Sequence, residues 1–143
     1  MNTSNTEDAD IAHARNIIGD CPNKPNCVST CCSNAAQRMP SLRFECDSSE
    51  ALAQVSKVCE AMPRMQLVEQ RDDYLHFVDR TPLLRFRDDV YFLVNKETHR
   101  LHFRSASRLG YSDLGANRKR MNTIVSALLE SKYFSTEADS VEE

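Results

Sequence analysis

Residues 65 to 105 alternate apolar and polar side chains with the two-residue period of β-strands, and this pattern constrains the fold more than any other feature. Short polar turns divide the region into four segments, and turns of so few residues can join only antiparallel neighbours. The predicted strands are Met65–Gln70, Tyr74–Asp79, Leu83–Val94 and Arg100–Ser105, preceded by a short strand from Leu42 to Cys46. The chain is therefore expected to form an antiparallel sheet of four or five strands.

Two segments with the period of an amphipathic helix flank the predicted sheet. The first begins after N-cap candidates at residues 47–50 and ends near Met62, before Pro63, and the second runs from Leu114 to Lys132. The apolar stripes are Leu52, Val55, Cys59 and Met62 in the first helix, and Met121, Ile124, Val125, Leu128 and Leu129 in the second. Because each stripe needs an apolar surface, the predicted fold class is α+β, with both helices packed on one face of the sheet.

The length of 143 residues and the hydrophobic content of 41% are those of one globular domain. This domain is predicted over residues 21–132. Residues 1–20 are expected to form a flexible tail with at most a short helical turn at 11–18, and residues 133–143 an acidic disordered tail. No stretch reaches the roughly 18 apolar residues of a membrane span, and no secretory signal is recognised. The compartment is left open, with the cytoplasm as the default.

The segment from Arg104 to Arg120 concentrates positive charge in an acidic protein. The net charge of the chain is −3, yet residues 100–120 hold six Arg or Lys residues against one acid, Asp113. The segment runs into the second helix, whose N-terminal N–H groups favour anions. We therefore predict an anion-binding pocket, in which Gly110 and Gly115 allow close approach of the backbone. The predicted ligand-binding residues are Arg104, Ser105, Ser107, Arg108, Tyr111, Asn117 and Arg118.

A structural alternative uses some of the same residues. Asp88 shares the strand parity of Phe92 and would face the core, where a lone carboxylate is costly. A β-bulge at residues 88–89 would remove the problem and is the preferred expectation. Otherwise Asp88 needs an arginine partner, and the candidates for ion pairs that fasten the loop to the sheet are Arg85, Arg104, Asp88 and Asp113. The pocket and the ion pairs are compatible, and a merely solvated basic face is also open.

Four of the six cysteines lie close together near the start of the chain: Cys21, Cys27, Cys31 and Cys32. Their spacing matches no standard zinc or iron–sulfur pattern, so no metal and no cofactor are predicted. A disulfide between Cys21 and Cys27 would close a small loop in an oxidising compartment, whereas both would be free thiols in a reducing one.

Three segments carry a resemblance to a known family. They are Cys21-Pro-Asn-Lys-Pro-Asn-Cys-Val-Ser29, Arg85-Phe-Arg-Asp-Asp-Val-Tyr-Phe92 and the basic segment 104–120. They resemble the signatures of domain-of-unknown-function family 1499, which occurs in bacteria and photosynthetic eukaryotes. The resemblance covers about residues 21–131 and implies a single compact domain without an established reaction. The adjacent Cys31 and Cys32 depart from the family pattern.

The remaining motifs argue against most function classes. The sequence contains no phosphate-binding loop, no dinucleotide-binding fingerprint and no GxSxG motif of hydrolases. Nucleic-acid binding is disfavoured because the net charge is negative and Tyr111 is the only aromatic residue of the basic segment. An enzyme would use Cys27 with a histidine base, or Asp113, but no pattern places a histidine beside Cys27. The histidines are His13, His76, His99 and His102. The sequence favours a small binding or accessory protein with an anionic ligand or a protein partner; a cofactor-independent enzyme and a purely structural module are the alternatives.

Overall fold

The computed structural model describes residues 3–83 and 85–136. Its three helices are α1 (Thr3–Ile18), α2 (Ser48–Glu60) and α3 (Ala116–Glu130), and a 3-10 turn spans Ala35–Gln37. Its strands are β1 (Cys27–Ser29), β2 (Leu42–Phe44), β3 (Met65–Arg71), β4 (Tyr74–Arg80), β5 (Arg87–Asn95), β6 (Arg100–Ser107) and β7 (Phe134–Ser135). No helix among the described residues is long and apolar enough to span a bilayer.

All seven strands form one antiparallel sheet, in the order β3-β4-β5-β6-β2-β7, with β1 also paired to β6. The α+β class and the antiparallel sheet are therefore confirmed. The five predicted strands are present as β2 to β6, although β5 begins at Arg87 rather than at Leu83. The additional strands β1 and β7 have three and two residues, too few for an alternating pattern to be recognised in the sequence.

The two predicted helices lie on one face of the sheet, as expected. Helices α2 and α3 contact each other and cover a core of buried apolar side chains. Its largest members from the strands are Phe44, Leu75, Phe77, Phe92, Leu101 and Phe103, and those from the helices are Leu52, Val55, Cys59, Met121, Ile124 and Leu128. The predicted stripes therefore supply the buried side of each helix.

A third helix covers the opposite face of the sheet. Residues 3–18, which the sequence predicts to be mostly a flexible tail, form α1, and Ala14 and Ile18 pack with Tyr74, Leu93 and Cys31. The apolar side of α1 is narrow, and a buried carboxylate supplies much of its attachment. Asp10 is 8% exposed and accepts hydrogen bonds from Asn95, Thr98 and His102. Such a polar anchor leaves no hydrophobic period in the sequence.

Two further expectations are corrected near the ends of elements. The predicted β-bulge at residues 88–89 is wrong, because β5 and β6 pair in continuous register from Asp88 to Asn95. A register shift occurs instead in β3, between Leu67 and Glu69. Part of the predicted acidic tail belongs to the sheet instead, since Phe134 in β7 is 5% exposed and packs against Phe44. Residues 137–143 of that predicted tail lie outside the described residues.

Candidate functional site

A cleft of about 550 Å³ lies where the N-terminal cysteine segment meets the loop before α3. Its walls come from residues 23–28, the 3-10 turn and the loop 111–118. The lining residues are Asn23, Lys24, Pro25, Cys27, Val28, Asn34, Ala36, Gln37, Tyr111, Ser112, Asp113, Gly115 and Arg118. Two segments of the family resemblance therefore form opposite walls of one cavity, whose volume is typical of small-molecule sites. This cavity is called the cleft below.

The cysteine wall of the cleft is held by covalent and polar contacts. Cys21 and Cys27 are joined by a disulfide, with their Cα atoms 5.6 Å apart. Gln37 lies inside the same turn of chain, and its Nε2 is within hydrogen-bond distance of the carbonyl oxygens of Pro22, Lys24 and Cys27, at 3.0, 2.8 and 3.2 Å. Gln37 is 7% exposed, and its Oε1 has no partner among the described residues. An acceptor buried in this way is costly unless a ligand or water donates to it.

The opposite wall is fixed by Asn117, which is fully buried at the start of α3. Its Nδ2 lies 3.1 Å from the carbonyl oxygen of Asn26, 2.9 Å from Ser107 Oγ and 2.6 Å from Asp113 Oδ2. Its Oδ1 accepts a 2.6 Å hydrogen bond from Ser105 Oγ. Asn117 therefore joins β6, the cysteine segment and the loop before α3, and these contacts hold the two walls together.

The N-terminus of α3 already has an anionic partner within the chain. Asp113 Oδ1 accepts from the backbone N–H of Gly115 at 2.8 Å, and Oδ2 accepts from that of Asn117 at 3.1 Å. Asp113 thus serves as a helix cap, the role that its position beside Ser112 suggests. Among the described residues it forms no ion pair with arginine. An external anion at the N-terminus of α3, as predicted, would have to compete with the Asp113 carboxylate for these N–H groups.

The cations that remain exposed at the cleft are Lys24 and Arg118. Arg118 donates one hydrogen bond from Nη2 to the carbonyl oxygen of Ala36, 3.1 Å away across the cleft. Neither cation forms an ion pair within the described parts of the chain. Tyr111, with 68% of its surface exposed, stands beside them at the cleft. The cleft therefore carries uncompensated positive charge at its exposed edge.

The structure separates Arg104 and Arg108 from the cleft. Adjacent residues of a strand point to opposite faces, so Ser105 and Ser107 face α2 and α3 while Arg104 lies on the α1 face. Arg104 donates from Nη1 to the carbonyl oxygen of Ile18 at 3.3 Å and covers the ring of Tyr91. The predicted set of ligand-binding residues is thus divided between two faces of the sheet.

Arg108 is engaged by a carboxylate that the sequence did not single out. Its Nε and Nη2 donate to the two oxygens of Asp89, each at 2.9 Å, and His76 Nε2 lies 2.8 Å from Asp89 Oδ1. Burial alone would raise the pKa of Asp89, but hydrogen bonds from Arg108 and His76 outweigh it and hold the pKa below 3.8. Arg108 therefore fastens the loop after β6 to β5. The structural alternative predicts an ion pair of this kind, although between other residues.

The partner of Asp88 is Arg120, whereas the sequence proposed Arg85 or Arg104. Arg120 Nη2 donates to Asp88 Oδ2 at 2.7 Å, and Nε donates to Asp79 Oδ2 at 2.6 Å. Its Nη1 donates to Ser105 and Asn117. Arg85 is exposed before β5 and forms no ion pair among the described residues. Arg120 lies three residues after Asn117 and four before Ile124, and this helical spacing was the available signal for its burial.

A line of three buried polar groups resembles a nucleophile, base and acid. His102 Nδ1 lies 2.9 Å from Thr30 Oγ1, and His102 Nε2 lies 2.8 Å from Asp10 Oδ2. All three residues are at most 8% exposed, and Thr30 Oγ1 also accepts the backbone N–H of Phe103. No substrate atom could approach the hydroxyl in this packing. The arrangement fixes α1 to β6 and is structural.

The catalytic alternatives find little support in the geometry. Cys27 is in a disulfide and 2% exposed, so it offers no thiolate, and both oxygens of Asp113 accept hydrogen bonds from α3. Burial raises the pKa of the neighbouring thiols of Cys31 and Cys32, which disfavours their reactive form. Within residues 3–83 and 85–136, no group of three His, Cys, Asp or Glu side chains is placed to hold a metal ion.

Comparison with known proteins identifies the family but no function. Residues 18–128 match the family model described as "Protein of unknown function (DUF1499)", which covers most of the chain. The chain therefore belongs to this family, and the resemblance of its three segments is confirmed. No curated protein and no solved structure matches it significantly.

Proposed function

We propose that this member of the family is a binding module, and that its cleft takes up a small molecule or chain end carrying an anionic group. The observation that carries the proposal is the pair of exposed cations, Lys24 and Arg118, on walls that are otherwise held rigid by internal bonds. A rigid cavity loses little conformational entropy on binding, so modest contacts can give useful affinity.

The other arginines of the segment have internal partners. Arg108 is paired with Asp89, Arg120 with Asp79 and Asp88, and Arg104 is bonded to a backbone carbonyl oxygen. Arg118 uses one N–H group on Ala36 and keeps further donors for a carboxylate or phosphate. This distribution supports an anion at Lys24 and Arg118 rather than at Arg104 and Arg108.

The apolar part of the wall also bears on the ligand. Pro25, Val28 and Ala36 line the same cleft as the two exposed cations. Gln37 also lines the cleft, but its Nε2 is committed to the cysteine segment and its Oε1 is buried, so its amide is not expected to contact a ligand. An organic acid or phosphate ester with an apolar part fits this lining better than a bare inorganic ion.

Thermal unfolding tests the proposal. Inorganic phosphate and citrate should raise the melting temperature beyond an equal ionic strength of chloride, because a ligand that binds only the native state stabilises it. Arg118→Ala should abolish this increment. Lys119→Ala is the matched control, since Lys119 is an exposed neighbour on α3 outside the cleft, and it should keep the increment. An equal response of chloride and phosphate, or an unchanged response of Arg118→Ala, would contradict the proposal.

A further inference from the structure

Exposed apolar side chains are concentrated on two loops. Seven large apolar residues of the described chain are strongly exposed, and five of them lie in loops 81–86 and 108–115. These five are Leu83, Phe86, Leu109, Tyr111 and Leu114. Leu83 and Leu114 are 93% and 96% exposed, so their side chains project with almost no protein contact. Single exposed apolar residues are normal, but such a concentration marks an interaction surface.

The two loops leave the same end of the sheet. Arg80, the last residue of β4, pairs with Arg87, the first of β5, and the backbone N–H of Arg108 donates to the carbonyl oxygen of Arg87 at 3.1 Å. The loop 22–26 joins them, because Asn26 Nδ2 donates to the carbonyl oxygen of Gly110 at 2.8 Å. We call this surface, formed by the described residues of the three loops (22–26, 81–83, 85–86 and 108–115), the apolar end.

The charges of the apolar end are predominantly positive. Asp113 is the only acidic residue in its three loops, and both of its carboxylate oxygens are occupied by N–H groups of residues 115–117. Arg108 is exposed in the same loop but is paired with Asp89. The other exposed cations in or beside the loops are Lys24, Arg85, Arg87, Arg118 and Lys119. Projecting leucines accompanied by these cations suit a surface that is apolar inside and anionic outside.

We propose that the apolar end docks on a membrane surface that contains anionic lipids. Leu83, Leu109 and Leu114 enter the boundary between headgroups and acyl chains, while Lys24, Arg85 and Arg87 meet lipid phosphates. Leu114 also has a left-handed backbone φ of 54°, a conformation unfavourable for leucine, and its side chain is 96% exposed among the described residues. The inference goes beyond the proposed ligand site and rests on these side chains, not on occupancy of the cleft.

The same features disfavour a second copy of the chain as the occupant. A two-fold dimer through the apolar end would bring Arg85 and Arg87 of each copy toward the cations of the other. The two most exposed leucines also stand on separate loops with free space around them, whereas protein interfaces bury closely packed patches. A fluid lipid surface accepts separate projections without a matching shape.

Sedimentation with vesicles tests the inference on the full chain. The protein should pellet with vesicles of phosphatidylcholine and phosphatidylserine, pellet much less with phosphatidylcholine alone, and be released as salt rises. The variant Leu109→Ser with Leu114→Ser should lose about tenfold or more in vesicle affinity, because both side chains carry apolar area into the bilayer boundary. The matched control is Val68→Ser with Tyr133→Ser, which changes the two strongly exposed residues outside the loops and should bind as the wild type does.

Other outcomes would overturn the inference. Failure to pellet with anionic vesicles, or equal binding by the leucine variant, would exclude docking through these loops. A concentration-dependent dimer that the leucine variant abolishes, without vesicle binding, would assign the surface to a second copy. A further outcome is that the protein fails to bind vesicles while inorganic phosphate stabilises it and Arg118→Ala removes that stabilisation. This result would support the ligand site and refute only the membrane-docking surface.

Discussion

Arg108 holds Asp89 through two parallel hydrogen bonds, Nε to Oδ2 and Nη2 to Oδ1, each 2.9 Å long. This pair connects the loop after β6 to the middle strand β5, on the face of the sheet that also carries α1. The side chain of Arg108 is 43% exposed, so solvent screens the interaction. The contact therefore positions the loop after β6 but contributes only modestly to stability.

Replacing Arg108 by alanine is expected to cost about 0.5–1 kcal/mol of stability, the range for a well-formed but exposed pair. Urea unfolding measures this loss. The variant should retain the stabilisation by phosphate that Arg118→Ala removes, because Arg108 is outside the cleft. A loss of the phosphate response in Arg108→Ala would instead move the anion site to the Asp89 side of the sheet.

Replacing Arg120 by methionine is expected to cost about 3–5 kcal/mol, because it leaves Asp88 buried without a counter-charge and Asp79 with only the half-exposed Arg64, 3.7 Å away. The deficit should shrink as the pH falls, since burial raises the pKa of Asp88 and protonation removes the charge that Arg120 would otherwise balance. Urea unfolding at several pH values measures both effects. Lys119→Met is the control, because Lys119 is exposed one position earlier, and its stability should stay near that of the wild type. A loss below about 1 kcal/mol in Arg120→Met would contradict a buried ion cluster.

The attachment of α1 should weaken in acid. Burial alone would raise the pKa of Asp10, but hydrogen bonds from His102, Thr98 and Asn95 hold it below 3.8. A lowered pKa in the folded state gives stabilisation that is complete well above 3.8 and is lost as the pH falls through the folded pKa. The protection factors of the α1 amides against hydrogen exchange should therefore fall on acidification more than those of the α3 amides.

The variant Asp10→Asn separates this effect from general acid unfolding. It should lose about 1–3 kcal/mol at neutral pH, because the partners of a buried carboxylate are left poorly satisfied. The protection factors of its α1 amides should be low at neutral pH and change little on acidification. Protection of α1 equal to that of the wild type would show that its apolar contacts suffice.

The disulfide between Cys21 and Cys27 should be present in protein made under oxidising conditions. Counting thiols in denaturant should then give four free groups, from Cys31, Cys32, Cys46 and Cys59. Reduction should lower stability by about 2 kcal/mol, the chain-entropy value for so short a loop. Finding all six thiols free in the oxidised preparation would show that the cysteine wall of the cleft is held by its hydrogen bonds alone.

The secondary structure was largely predictable because it depends on near neighbours along the chain. The alternation of Leu101 and Phe103 with His102 and Arg104 defines two faces of a strand without reference to any other element. The same reasoning could have divided the predicted site, since Arg104 and Ser105 are adjacent in a strand and must point to opposite faces. Strand alternation therefore places these two side chains apart before any tertiary contact is known.

The sequence by itself determined the strand alternation of β3 to β6 and the stripes of α2 and α3. For Asp88 it left two alternatives, a β-bulge, which it favoured, and a positive partner. Only the tertiary structure decided which residues meet. Arg120 reaches Asp88 across 32 positions, and His102 reaches Asp10 across 92. Apolar periodicity reflects a general preference for burial and depends only on residues that are close together in the sequence. A hydrogen bond or ion pair instead needs one particular partner at about 3 Å. That distance is fixed only when the sheet brings distant strands and α1 together.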